Sequence, residues 1–141
     1  MIRRYVETTD LPELLDSWYE ASLVAHPFLG DEFLARERVL IAEQWLPSAD
    51  TMVSVVDGRV VGFLSLVGNE VGAIFVHPDH QGAGLGRELM DDARSKRPFL
   101  ELEVFEDNPI GRGFYAAYGF EQINRSLNDE TGQMSLRLRL G

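Results

Sequence analysis

Apolar residues recur along the chain in two rhythms. Leu11, Leu14, Leu15, Trp18 and Ala21 fall three and four positions apart, the stripe of an amphipathic helix running from Leu11 to about Ala25. Thr9 or Asp10 can cap it, and Pro12 fits its first turn. His26-Pro27-Phe28-Leu29-Gly30 breaks the pattern; a second helix is predicted over Asp31 to Trp45, and Pro47 ends that region. The rhythm then shortens. Met52 to Val56 and Val60 to Val67 flank Asp57-Gly58, a hairpin signal, and Gly68-Asn69 turns the chain into a third strand, Val71 to Val76. Leu85, Leu89, Met90 and Ala93 restore helical spacing to about Lys96. Leu100 to Phe105 alternates apolar and acidic residues and reads as a strand. Pro109 to Tyr118 reads as a short helix ended by Gly119, and Phe120 to Ser126 and Met134 to Leu140 as two final strands. With Ile2 to Val6 as a first strand, the order is β-α-α-β-β-β-α-β-α-β-β. It implies one α/β domain spanning residues 1–141, a mixed sheet with helices on both faces.

Composition narrows the setting. The chain has 141 residues, 45% of them hydrophobic, and a formal charge of −10. That charge would repel a phosphate backbone, which argues against nucleic acid as the main partner, and it suits a cationic acceptor. The absence of cysteine excludes disulfides, thiolate metal sites and a cysteine nucleophile, and fits a cytoplasmic protein. No apolar run approaches a membrane span, and the charged start, Met1 to Val6, is unlike a signal peptide. The spacing His77-Pro78-Asp79-His80 does not read as a metal site, because Pro78 keeps the two rings off one helical face. Exposed strand edges near the C-terminus offer pairing to a second copy of the chain.

The candidate chemistry lies where the third strand meets the third helix. Gln81-Gly82-Ala83-Gly84-Leu85-Gly86-Arg87 places glycines where a helix begins, leaving N–H groups unshielded at the positive end of the helix dipole, a site for phosphate. Two nucleotide-binding readings fail. A dinucleotide fingerprint counted from Gly82 would need glycine where Arg87 stands, and no P-loop lysine follows.

The segment Gln81-x-x-Gly84-x-Gly86 resembles the pyrophosphate loop of the GNAT superfamily of acetyl-CoA-dependent N-acetyltransferases. Asn108-Pro109-Ile110-Gly111-Arg112-Gly113-Phe114-Tyr115 with Tyr118-Gly119-Phe120 is similar to a second motif of that family, with Gly111 where alanine is usual. The resemblance implies a mostly antiparallel sheet of about seven strands with about four helices. It implies acetyl transfer from acetyl-CoA to a primary amine by direct attack in a ternary complex, the acceptor being a small-molecule amine or an amine of a protein. Pyrophosphate would lie on Gly82 to Arg87, pantetheine along Ile74, Phe75 and Val76, and Asn108 would touch the cofactor. Tyr115 aligns with the general acid that reprotonates the thiolate, with Tyr118 one turn away as a fallback. Glu103, on the polar side of its strand, and Glu70, eleven positions before Gln81, are the carboxylates available as base or amine anchor. His26 and Phe28, between the first two helices, are candidates for the acceptor pocket. The cofactor motifs also leave open a non-catalytic acyl-CoA sensor.

Overall fold

The computed structural model describes residues 1–141. Seven strands form one sheet in the order β1-β2-β3-β4-β5-β7-β6. They are β1 (Ile2–Arg4), β2 (Asp50–Val56), β3 (Arg59–Val67), β4 (Glu70–Val76), β5 (Leu100–Phe105), β6 (Glu121–Leu127) and β7 (Met134–Leu140). All neighbours are antiparallel except β4 and β5, which run parallel. Four α-helices, α1 (Glu7–Ala25), α2 (Asp31–Leu40), α3 (Leu85–Lys96) and α4 (Pro109–Tyr118), cover the faces. Strand and helix order follow the predicted pattern throughout. No helix is long and apolar enough to cross a membrane.

Alternation along the strands builds two cores. Leu100, Leu102 and Val104 of β5 and Leu136 and Leu138 of β7 point to one face, where they pack with Leu89, Met90 and Ala93 of α3. Val53, Val60 and Phe63 of β2 and β3 enter the other core, against Leu14, Leu15 and Trp18 of α1 and Leu34 of α2. The polar residues of β5 and β7 therefore share the α1–α2 side of the sheet.

Several boundaries depart from expectation: β1 stops at Arg4 rather than Val6 and β2 begins at Asp50 rather than Met52, and three further departures have a visible structural context. Helix α1 begins at Glu7, a turn earlier than its apolar stripe, with Val6 as N-cap. The cause is Asp10: it takes two hydrogen bonds from Arg3, at 2.7 and 2.8 Å, and reaches back to accept the Val6 N–H at 2.8 Å. Pro12 consequently lies inside the helix rather than in its first turn. The second helix keeps α-helical bonding only to Leu40; Ile41–Trp45 widens into a π-turn and Leu46–Ser48 tightens into a 3₁₀ turn. Strand β6 starts at Glu121, leaving Phe120 buried in the α3–α4 core. The Asp57-Gly58 turn is as read: both residues have positive φ, 51° and 78°, the geometry that matches hairpin twist.

Candidate active site

The site begins as a defect in the sheet. Strands β4 and β5 pair at one position, Glu70 opposite Glu101, and then diverge. Against β3, Val71 pairs with Leu66 and Ala73 with Ser65, so Gly72 is the extra residue of a bulge. Beyond Glu70 the β5-facing edge of β4, which includes Ile74, Phe75 and Val76, carries no strand partner. A cleft of about 1270 Å³ opens there and is lined from both sides of the sheet. Such an edge can pair with an extended, amide-bearing chain as a further strand would.

On the α3 side the glycine loop closes the cleft. Gly82 and Gly84 have φ of 84° and 82°, a conformation that L side chains seldom adopt. The first helical bond of α3 runs from Glu88 N–H to the Gly84 carbonyl. The backbone N–H groups of residues 82–87 find no acceptor within the protein. Six consecutive free donors at a helix N-terminus fit a pyrophosphate. Gln81 secures the loop through its side chain, which donates to the Val76 carbonyl at 3.0 Å. Arg87 lines the cleft, with its guanidinium 5.7 Å from the centre of the Tyr118 ring.

Helix α4 forms the next wall. Asn108 is its buried N-cap, and its Oδ1 accepts the Gly111 N–H at 3.0 Å. Tyr115 lines the cleft between Phe114 and Phe120, at ring separations of 5.5 and 5.7 Å. Burial pushes its phenol above the usual range, so the hydroxyl stays protonated at neutral pH. Tyr118 faces elsewhere. Its hydroxyl donates to Asp91 of α3 at 2.5 Å, and burial with that bond pushes its pKa up to about 12.

Across the sheet the α1–α2 connection meets the diverging strands. The His26 ring lies 6.3 Å from Phe75 of β4 and 5.2 Å from Phe105 of β5, with Phe28 5.8 Å from it. All three contacts are edge-to-face, and burial pulls the imidazole pKa down to about 4. The cleft continues past this cluster as a groove. Phe33, Glu37, Ile41 and Trp45 form one wall, and the β6–β7 connection, with Asp129 and Glu130, forms the other. Burial and the nearby Glu130 carboxylate raise the Glu37 pKa.

Both candidate carboxylates lie beside Arg137 of β7. Glu70 is held in two bonds, at 2.8 and 3.2 Å, whereas Glu103 is half exposed and stands 3.7 Å from the same guanidinium. Arg137 also bonds Glu101 at 3.0 Å. The groove wall and Arg137 were not among the residues singled out from sequence. Alternation in Met134 to Leu140 does put Arg137 on the polar face of its strand. What that pattern lacks is the strand order that sets Arg137 opposite Glu103.

Residues 47–122 match the family model described as an acetyltransferase (GNAT) domain. The chain is 32% identical over 129 residues to the peptidyl-lysine N-acetyltransferase YiaC of Escherichia coli K12, covering 91% of this chain and 88% of that protein. It is 35% identical over 122 residues to the peptidyl-lysine N-acetyltransferase YjaB of the same strain, covering 86% and 82%. The solution structure of apo-form YjaB superposes with a TM-score of 0.86 at 33% identity, over 99% of this chain and 95% of that one. The fold is shared at 18% identity with a GNAT family acetyltransferase from Elizabethkingia anophelis with acetyl-CoA bound, over 99% of this chain and 96% of that one, at a TM-score of 0.73.

Proposed function

The chain belongs to the GNAT superfamily and is an acetyl-CoA-dependent N-acetyltransferase, and on that premise we propose that its acceptor is the ε-amine of lysine within a polypeptide. The observation that carries this reading is the groove between α2 and the β6–β7 connection, continuous with the β4–β5 gap. An extended backbone can lie along such a groove while one side chain enters the gap. Burial and the nearby Glu130 carboxylate raise the Glu37 pKa, so an approaching ammonium offsets a repulsion on Glu37 that an uncharged ligand would leave in place. The two Escherichia coli proteins described above are peptidyl-lysine N-acetyltransferases, which favours the same class.

Acetyl-CoA supplies an activated acyl thioester. The N–H groups of residues 82–87 hold its pyrophosphate, and the free edge of β4 at Ile74 to Val76 aligns its amide-bearing arm. Backbone N–H donors of that edge stabilise negative charge developing on the acyl oxygen. A lysine amine, with an ordinary pKa of about 10.4, must lose a proton before it attacks. We assign that step to Glu103, whose one nearby cation is Arg137 at 3.7 Å; Glu70 is held more tightly by the same guanidinium. Tyr115 donates the proton that the departing thiolate needs. His26 and Leu29 line the acceptor side of the gap, whereas Phe28 packs against the His26 and Phe105 rings and is not part of the cleft lining.

The test compares free-thiol release for a lysine-containing peptide, the same peptide acetylated at its lysine, free lysine and a panel of small polyamines. The expected result is turnover on the unmodified peptide at a kcat/KM at least tenfold above any free amine. Equal or greater efficiency on a free amine would overturn the peptide assignment and leave the acetyltransferase itself standing.

A further inference from the structure

The α1–α2 connection and helix α4 belong to opposite faces of the sheet, yet they touch through the β4–β5 gap. One hydrogen bond joins them. Asn108 Oδ1 is committed to the Gly111 N–H at 3.0 Å, so its Nδ2 is the group that faces His26 Nε2 at 3.3 Å. An amide nitrogen only donates, so Nε2 must be the unprotonated ring nitrogen and the proton must sit on Nδ1. No other hydrogen bond ties residues 26–30 to anything beyond the flanking helices; the remaining bonds of that segment are local.

Gly111 belongs to the same device. A Cβ built there would lie 2.5 Å from Asn108 Nδ2 and 3.1 Å from its Cγ. The Asn108 amide therefore occupies the space that the alanine usual at this motif position would fill. Glycine in a helix costs about 1 kcal/mol against alanine, so the chain gives up helix stability to keep the amide over the first turn of α4.

We infer that His26 is a positioning residue: it is held by the Asn108 amide, which sits in the space Gly111 leaves, and this bond fixes the cleft-lining His26–Leu29 segment relative to Tyr115. This rests on the acetyltransferase reading of the site but not on the identity of the acceptor. The imidazole is neutral at neutral pH, as the acceptor role of Nε2 requires.

Two readouts test it. The first, ring-nitrogen NMR of the protein as it stands, needs no turnover. It is expected to find His26 neutral, protonated on Nδ1, and to lose the bonded Nε2 signature in Gly111→Ala. That variant displaces the Asn108 amide and so gives up a helix cap of about 1 kcal/mol, but it gains about as much in helix propensity, so it folds. The second readout is kinetic. His26→Phe keeps the ring packing and removes the acceptor atom. It is expected to raise the acceptor KM about tenfold, the loss of one hydrogen bond of about 1.4 kcal/mol, with kcat and the acetyl-CoA Kd within twofold. His26→Gln, which returns an oxygen near the Nε2 position, restores KM to within about threefold. Gly111→Ala raises the acceptor KM as His26→Phe does, and the double variant is no worse than either single one. A proton found on Nε2, an unchanged His26 signal in Gly111→Ala, failure of His26→Gln to restore KM, or fully additive effects would each overturn the inference. If no acceptor in the panel turns over, the acetyltransferase reading fails and the NMR result still decides the bond.

Discussion

At the residue scale the side chains proposed for catalysis are ones whose surroundings set their protonation. The donor role proposed for Tyr115 is supported by its burial between Phe114 and Phe120, which keeps the hydroxyl protonated, while Tyr118, three positions on, is taken by Asp91. Tyr115→Phe preserves the ring packing and removes only the proton. It is expected to lower kcat by about 10²-fold with little change in acetyl-CoA affinity, as rapid-quench or thiol-release kinetics and calorimetry would read. An equal loss in Tyr118→Phe with none in Tyr115→Phe would reverse the assignment. The motif made the cleft position of Tyr115 legible from sequence, but not the partner of Tyr118, because Asp91 lies on a different helix.

At the element scale, function depends on where regular structure stops. Gly72 bulges β4, β5 diverges after one pair, and α3 begins on a loop with six free N–H groups. Gly84, at φ 82°, is the N-cap of α3. A side chain there meets no neighbour, so its cost is conformational, about 1–2 kcal/mol, and it falls on the loop that presents the donors. Gly84→Ala is expected to weaken acetyl-CoA binding about tenfold by calorimetry while the acceptor KM holds. Unchanged affinity would mean that the loop does not grip the diphosphate. The glycine spacing announced this loop in advance. The π-turn at Ile41–Trp45 had no such signal, because its apolar spacing passes for ordinary helix.

At the scale of the whole molecule, acid is the condition that sets the folded state against the unfolded chain. His26 has a folded pKa of about 4 against about 6.5 when unfolded. Below about pH 6.5 the unfolded chain binds a proton that the folded one refuses. Stability is therefore full above that pH and falls as pH drops toward about 4, by about 2–3 kcal/mol. Asp10 acts below this window. The Arg3 guanidinium lowers its pKa, so its contribution is present above the unfolded carboxylate value of about 3.9 and is lost as pH falls through the folded one. Urea midpoints measured from pH 7.5 to 4 should decline in the native chain and stay nearly flat in His26→Gln over the same window. Parallel curves would place the acid sensitivity elsewhere.

The order of elements, the hairpin at Asp57-Gly58, the glycine loop and the end of α4 at Gly119 were all legible in the linear chain. Each is fixed by neighbours within about four residues, where spacing and backbone preference suffice. The registry that sets Arg137 against Glu70 and Glu103 was decided only in three dimensions. So were the groove between α2 and the β6–β7 connection and the bond from His26 to Asn108, 82 positions away. These depend on which strands become neighbours and where two of them part, and that is settled by burying both sheet faces at once rather than by any local pattern.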